Sequence, residues 1–373
     1  MILDKSREII TSMNRFNTIV RAVARHAAAW LMLAGMIPSA AWASASCHSN
    51  YSAFTLSFPS TIAVARDLPD GSLLSAWSVS AATPNYWTCT VSDGWYTGTD
   101  FELAGIVAGA PTRYKASYNG VEFSVYATNV PGIGIALGGT VYAAKTQYGP
   151  WDFPVLGYER NNVGSPMDNG GQLIAALVKI GDVTPGTVSG LIARAFSWET
   201  AGKSPPGYNA ASGSIDFNMT PVIITVLTCR TPDVTVPMGT LALTDLPALG
   251  PAPRKSASFN LSFDNCPAGT PVEGTTAGMI HSVQYRIDPA NGTVSGFSNV
   301  AALSGTPSAG GVGIQLFDSA GAAIPFGTNL TLNGFNGAVA SSYTVAMTAR
   351  YYRTGPLSPG PANTTMTMTM YYQ

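Results

Sequence analysis

Apolar and polar residues alternate along short stretches of this chain. In Val121-Glu-Phe-Ser-Val-Tyr126 the period is two, which in an extended strand sends one set of side chains to a core and the other to solvent. Residues 343–351 keep that period over nine positions, and Phe259-Asn-Leu-Ser-Phe263 keeps it just ahead of Cys266. At the end of the chain Met366, Met368, Met370 and Tyr372 share one face, with polar residues or Tyr371 on the other. Further strand candidates are 54–58, 61–66, 87–91, 172–180, 191–198 and 214–219. Gly, Pro, Asn, Ser and Thr separate these runs, and such a pattern predicts an all-β chain. The stretch 148–171 (YGPWDFPVLGYERNNVGSPMDNGG) reads as one long ordered loop, a feature often functional in a compact β-domain.

The pattern also divides the chain. Arg15, Arg21 and Arg25 precede an apolar run at 27–37, and the small residues of 39–45 offer A-x-A cleavage after Ala43 or Ala45. Residues 1–45 are therefore expected to be a signal peptide. A membrane anchor is the alternative, against which stand the shortness of the run and Pro38. The remainder is long enough for two cores, and the expected domains are 46–220 and 221–373. Six or seven strands in the roughly 150 residues of the second suggest an immunoglobulin-like sandwich. Its final strand runs to the last residue, and because termini fray unless tied down, that strand is expected to be a pairing surface.

Composition narrows the function. Only 10% of residues are charged and the formal net charge is −1, becoming −4 after cleavage at Ala45 with 14 basic against 18 acidic residues. Electrostatic binding to nucleic acid or anionic lipid is not expected. The four cysteines cluster two and two, so the simplest pairing is Cys47–Cys89 and Cys229–Cys266, one bridge per domain in an oxidising compartment. Loops of that size are each stabilised by about 3–4 kcal/mol in the chain-entropy model. A metal site is the alternative, but there is no C-x-x-C or H-x-x-H, and His48 and His281 are the histidines of the mature chain. With no G-x-S-x-G and no paired carboxylates either, neither a metal, a cofactor nor catalysis is expected.

Several motifs in order carry a resemblance: Cys229 followed by Asp233-Val-Thr-Val236, the strand into Cys266, Gly311-Val-Gly-Ile-Gln-Leu316, Ala349-Arg-Tyr-Tyr-Arg-Thr-Gly355, and the closing strand with Tyr372 next to last. In these the C-terminal part resembles the pilin domain of chaperone–usher fimbriae, and the whole resembles their two-domain tip adhesins. The early cysteine pair, Thr128-Asn-Val-Pro-Gly-Ile-Gly134 and 173–179 followed by Gly186-Thr-Val-Ser-Gly190 carry a weaker likeness in the first domain. The resemblance implies two β-sandwich domains, the second an incomplete immunoglobulin-like pilin fold lacking its last strand. A neighbouring subunit then donates the missing strand, a periplasmic pilus chaperone fills the groove beforehand, and an outer-membrane usher exports the subunit to the fimbrium. It further implies that Met366, Met368, Met370 and Tyr372 border that groove, and that the chaperone holds the carboxylate of Gln373. Because a whole domain occupies the place of a donor extension, the expected position is the fimbrium tip at the cell surface.

Such adhesins bind host glycans or glycoproteins with loops at the end of the sandwich, where aromatic faces meet sugar C–H patches and Asp, Asn or Arg meet hydroxyls. One loop of that composition holds Asp93, Trp95, Tyr96 and Asp100. The other holds Trp151, Asp152, Tyr158, Glu159, Arg160, Asn161, Asn162, Asp168 and Asn169. Against these stand plainer roles: Trp95 and Trp151 as packing residues, Asp93-Gly94 and Asn169-Gly170 as turn formers, Glu159-Arg160 as a solvated pair. The mannose pocket of one branch of the family is not matched. This chain would start at Ser46-Cys47 or Ser44-Ala45 rather than at a bulky apolar residue, and only Asp182 stands where that branch has its polar stretch. A different sugar is expected. The rival reading is a non-lectin tip pilin or assembly-initiating subunit that binds host protein.

Overall fold

The period-two stretches become strands because each can bury one face against a facing sheet. The computed structural model describes residues 45–91, 95–107, 109–144, 146–160, 166–200 and 213–373; the expected signal peptide lies outside them apart from Ala45. The chain first forms β1 (Ala45–Ser49), β2 (Ala53–Leu56), β3 (Thr61–Ala65), β4 (Ser78–Val79), β5 (Thr83–Val91), β6 (Tyr96–Leu103) and β7 (Lys115–Tyr118). Next come β8 (Val121–Ala127), β9 (Ile133–Ala143), β10 (Thr146–Asp152), β11 (Val155–Arg160), β12 (Met167–Lys179), β13 (Gly186–Thr200) and β14 (Ser214–Leu227). After a 3-10 turn at Leu243–Asp245 follow β15 (Gly250–Pro251), β16 (Ala257–Cys266), β17 (Val283–Pro289) and β18 (Gly310–Asp318). The chain closes with β19 (Leu330–Thr331), β20 (Ser341–Ser358) and β21 (Met366–Tyr372).

One sheet has the order β1-β5-β12-β9-β8-β7, with β10 also on β9 and β4 on β12. A second has the order β11-β6-β13-β14, and β2 and β3 both join β14 in parallel. Between them lie Leu56, Ile62, Tyr86, Trp87, Phe101 and Phe217, all buried, with Phe217 stacked on Phe54 at 5.3 Å and tilted against Phe101 at 5.4 Å. In the rest of the chain β16, β20, β18 and β15 form one sheet, and β19-β17-β21 another. Phe263, Tyr285, Leu316, Met347, Met370 and Tyr372 are buried there. Cys47–Cys89 joins β1 to β5 at directly opposed positions, and Cys229–Cys266 joins the exit of β14 to the end of β16.

The expected loop at 148–171 is largely strand. It holds most of β10, all of β11 and the start of β12. The prolines that argued for a loop fall where no ladder bond is lost: Pro150 in the irregularity between Tyr148 and Trp151, Pro154 between β10 and β11. Likewise β14 runs straight through 220/221, where a domain boundary was expected. Pro221 is accommodated because the pairing with β13 is irregular there, and on the other flank β2 ends opposite Met219 before β3 begins opposite Ile223.

At the end of the first sandwich nearest the second part of the chain, the buried Lys179 ammonium meets the Asp70 carboxylate at 2.7 Å, and the Tyr114 hydroxyl donates to the same carboxylate at 3.0 Å. The Lys179 hydrogen bond, with help from Tyr114 and Arg113, holds the Asp70 carboxyl below its usual range despite some desolvation.

Candidate functional site

Strand register shows which chain segments meet at the opposite end of the first sandwich. Ala45 starts β1 opposite Val91, where β5 ends, and Tyr96 starts β6 between Arg160 and Thr200, where β11 and β13 end. Met167 starts β12 opposite Cys89, and Asn169 lies opposite Ala143 at the end of β9. The connections β5–β6, β9–β10, β11–β12 and β13–β14 therefore all begin and end here, beside the start of β1.

Several polar side chains are buried near these strand ends. Thr97 and Thr99 alternate with Gly98 and Asp100 on β6, and they lie opposite Glu199 and Ser197 of β13. All four are buried, as is Asn169 from the facing sheet. The Asn169 side-chain amide donates to Thr97 Oγ1 at 2.7 Å and reaches Cys89 Sγ at 3.5 Å, while its Oδ1 accepts from the Ala144 N–H at 3.2 Å. Thr97 Oγ1 also contacts Met167 Sδ at 3.2 Å, and the Ser197 hydroxyl donates to Glu199 Oε1 at 2.9 Å. Thr99 Oγ1 and Trp87 Nε1 are buried without a partner among the described residues. A buried hydroxyl or indole N–H left unmatched costs about 1–3 kcal/mol, so a polar group brought to either would stabilise it. Gly170, next to Asn169, lets β12 approach β5 closely: a Cβ there would sit 2.0 Å from the Thr83 carbonyl oxygen.

Of the residues expected to bind ligand, Trp95 and Tyr96 lie at this end, Trp95 half-buried against the core. Tyr158, Glu159 and Arg160 belong to β11, opposite Gly98, Thr97 and Tyr96. Asp93, Asn161 and Asn162 lie outside the described residues. Asp168 accepts a hydrogen bond from Thr88 at 2.9 Å. Asp100, between the inward Thr99 and Phe101, is half-buried; burial, with the Glu102 carboxylate adding like charge, pushes it up to about 6.

Trp151 and Asp152 sit farther along β10, opposite Gly139 and Gly138. Trp151 is exposed and stacks on Tyr148 at 6.2 Å. The oxygens of Asp152 are taken by the Ser124 amide and hydroxyl, both at 2.6 Å, the Phe153 amide at 3.0 Å and Lys115 Nζ at 2.9 Å. Burial would raise the Asp152 carboxyl, but the Ser124 and Lys115 hydrogen bonds outweigh it and hold the group low. Asp182 is exposed at the opposite end, after β12. Thr97, Thr99, Ser197 and Glu199 carry no signal in the sequence, where polar residues in a strand read as its solvent face. No group of three or more His, Cys, Asp or Glu among the described residues is placed to hold a metal.

In the second part of the chain, β21 pairs with β17 from Met366 opposite Pro289 to Tyr372 opposite Val283. Met370 and Tyr372 are buried, while Met366 and Met368 are half-exposed. The Gln373 carbonyl accepts from the His281 and Ser282 amides at 2.5 and 2.8 Å. Tyr372 is held on every side. Its hydroxyl accepts from the Cys229 N–H at 3.1 Å and donates to the Cys229 carbonyl at 3.2 Å, and the Arg66 guanidinium lies 4.9 Å over its ring.

Among known proteins, the family described as Fimbrial protein matches residues 223–373. The type-1 fimbrial protein, A chain, of Escherichia coli (strain K12) is 30% identical over 148 residues, which are 38% of this chain and 72% of that protein. Among solved structures, the CupB6 tip adhesin from Pseudomonas aeruginosa is similar over 87% of this chain and 94% of its own, with 15% identity and a TM-score of 0.32. The receptor binding domain of the plasmid-born adhesin MrkD1P of Klebsiella pneumoniae is similar over 50% of this chain and 98% of its own, with 18% identity and a TM-score of 0.30.

Proposed function

The chain belongs to the fimbrial protein family, and from that premise we propose that it is a fimbrial tip adhesin: the first sandwich binds a host glycan, and the region that follows it is the pilin domain that joins it to the fimbria. The match to the family begins at residue 223, and nearly all of the two facing sheets of the first sandwich lies ahead of it. A rod subunit has no need of that sandwich; a binding module has. One observation carries the glycan reading. The strand ends that bound four connections meet at one end of the sandwich beside the start of β1, and there Thr97, Thr99, Asn169, Ser197 and Glu199 are buried alongside Val91 and Met167. Trp95 and Tyr96, partly exposed at this end and backed by those buried polar groups, suit the mixed polar and C–H surface of a sugar.

The pilin reading has its own support. The outer edge of β21 has no strand partner among the described residues, and residues 231–240, which place Val236 and Met238 against the core, pair with no strand either. An exposed edge of this kind takes up an extended segment from another chain. The partners this implies are a periplasmic pilus chaperone, an outer-membrane usher and an adjacent subunit that donates a strand.

The test is a glycan array probed with the mature chain, carried by its chaperone, beside Trp95→Ala and Tyr96→Ala variants. A discrete set of glycans is expected to bind the wild type, and each variant to lose about tenfold or more, as for one lost aromatic contact. Binding to host matrix protein with no glycan bound would overturn the lectin reading in favour of a protein-binding tip subunit.

A further inference from the structure

The free edge of β21 is closed at one end by the first sandwich itself. This closure acquires a role only on the reading of that edge as the place where a strand is added. Gln373 exchanges backbone hydrogen bonds with Ser282, its N–H donating at 3.0 Å and its carbonyl accepting at 2.8 Å. In an antiparallel ladder the next residue then turns its N–H and C=O the other way, so Tyr372, Met370, Met368 and Met366 address the free edge. Two of these positions are already engaged. The Asp67 N–H donates to the Tyr372 carbonyl at 3.1 Å, and the Asp67 carboxylate accepts the Tyr372 N–H at 2.8 Å. The Arg66 guanidinium donates to the Met370 carbonyl and pairs with the Asp67 carboxylate at 3.0 Å. Thus Asp67 matches Tyr372 as a paired strand residue would, with its carboxylate in place of a backbone carbonyl.

Arg66 and Asp67 directly follow β3, whose partner β14 ends two residues before Cys229, the residue that holds the Tyr372 hydroxyl. The two dipeptide side chains are anchored by a parallel strand pair of the first sandwich rather than by a free loop. The edge groups that remain without a partner among the described residues are the N–H and C=O of Met366 and Met368 and the N–H of Met370.

We propose that Arg66 and Asp67 form a register stop. They occupy the end of the β21 edge, so that an incoming strand pairs with Met366, Met368 and the Met370 amide and ends there. Without such a stop an alternating strand has little to fix its register, because a slip by two residues presents the same face. The stop makes the first sandwich part of the acceptor site of the second region.

The test is the crystal structure of the mature chain bound to a twelve-residue acetylated peptide of alternating Val and Thr, a probe free to slide by two residues. It is solved for the wild type and for the Arg66→Ala/Asp67→Ala double variant; should the double variant fail to accumulate, Asp67→Ala alone frees the Tyr372 N–H and serves the same comparison. In the wild type the peptide is expected to end opposite Met370, and in the variant to advance by two residues and pair with Tyr372. A peptide that ends at the same place in both, or that displaces Asp67 from Tyr372 in the wild type, overturns the stop and leaves the strand-addition reading intact. A peptide that does not occupy the β21 edge in either chain overturns both.

Discussion

Asp100 lies on β6 between Thr99 and Phe101, which both point inward, and burial with the adjacent Glu102 raises its carboxyl from 3.8 to about 6. The folded state therefore holds this proton more tightly than the unfolded state does. The stability it contributes is complete below pH 3.8 and is lost as pH rises through about 6. Asp100→Asn is expected to raise the unfolding midpoint over the wild type at pH 7.5 and to give little gain at pH 3.5, measured by thermal unfolding of the chaperone-bound or peptide-bound chain. An equal gain at both values would show that charge at Asp100 is not the cause. At this scale the sequence was a partial guide. Asn169-Gly170 reads as a turn, yet both residues lie inside β12, and Asn169 bridges the sheets to Thr97. Thr97, Thr99, Ser197 and Glu199 escape the alternation rule because it assigns polar letters to the solvent face; only the pairing of β6 with β13, packed on β12, shows that they face inward.

Elements were legible where one face is apolar and the other polar. Residues 121–127 form the strand expected, and the terminal alternation becomes β21. Strands with mixed or small residues were not. The glycines and prolines of 148–171 obscured β10, β11 and the start of β12, since edge strands and bulges tolerate residues that a central strand rejects. Gly170 is the clearest case: it reads as a breaker, but it is what allows β12 and β5 to approach. Gly170→Ala would bring a Cβ to 2.0 Å from the Thr83 carbonyl, so β5 or β12 must shift. The variant is expected to lose about 1–3 kcal/mol, the range for overpacking a tight interior, seen as a lower melting temperature of the chaperone-bound or peptide-bound chain. An unchanged melting temperature would mean that this contact does not set the spacing of the two strands.

At the scale of the molecule, the all-β class and the two cysteine clusters were readable from spacing alone, and the pairs Cys47–Cys89 and Cys229–Cys266 are those found. What spacing does not convey is the continuity of the chain across residue 220. Strand β14 ends two residues before Cys229, and β3 beside it delivers Arg66 and Asp67 to the last strand, so Tyr372 is hydrogen-bonded both to Cys229 and to the first sandwich. These contacts bury the far end of β21 and leave Met366 and Met368 half-exposed beside an unpaired edge. On the reading proposed above another chain completes this edge, and the yield of soluble mature protein made with and without a cognate periplasmic chaperone tests that most directly. Solubility is expected only as a one-to-one complex, with a synthetic donor-strand peptide able to replace the chaperone. A stable monomer that needs neither would contradict that reading.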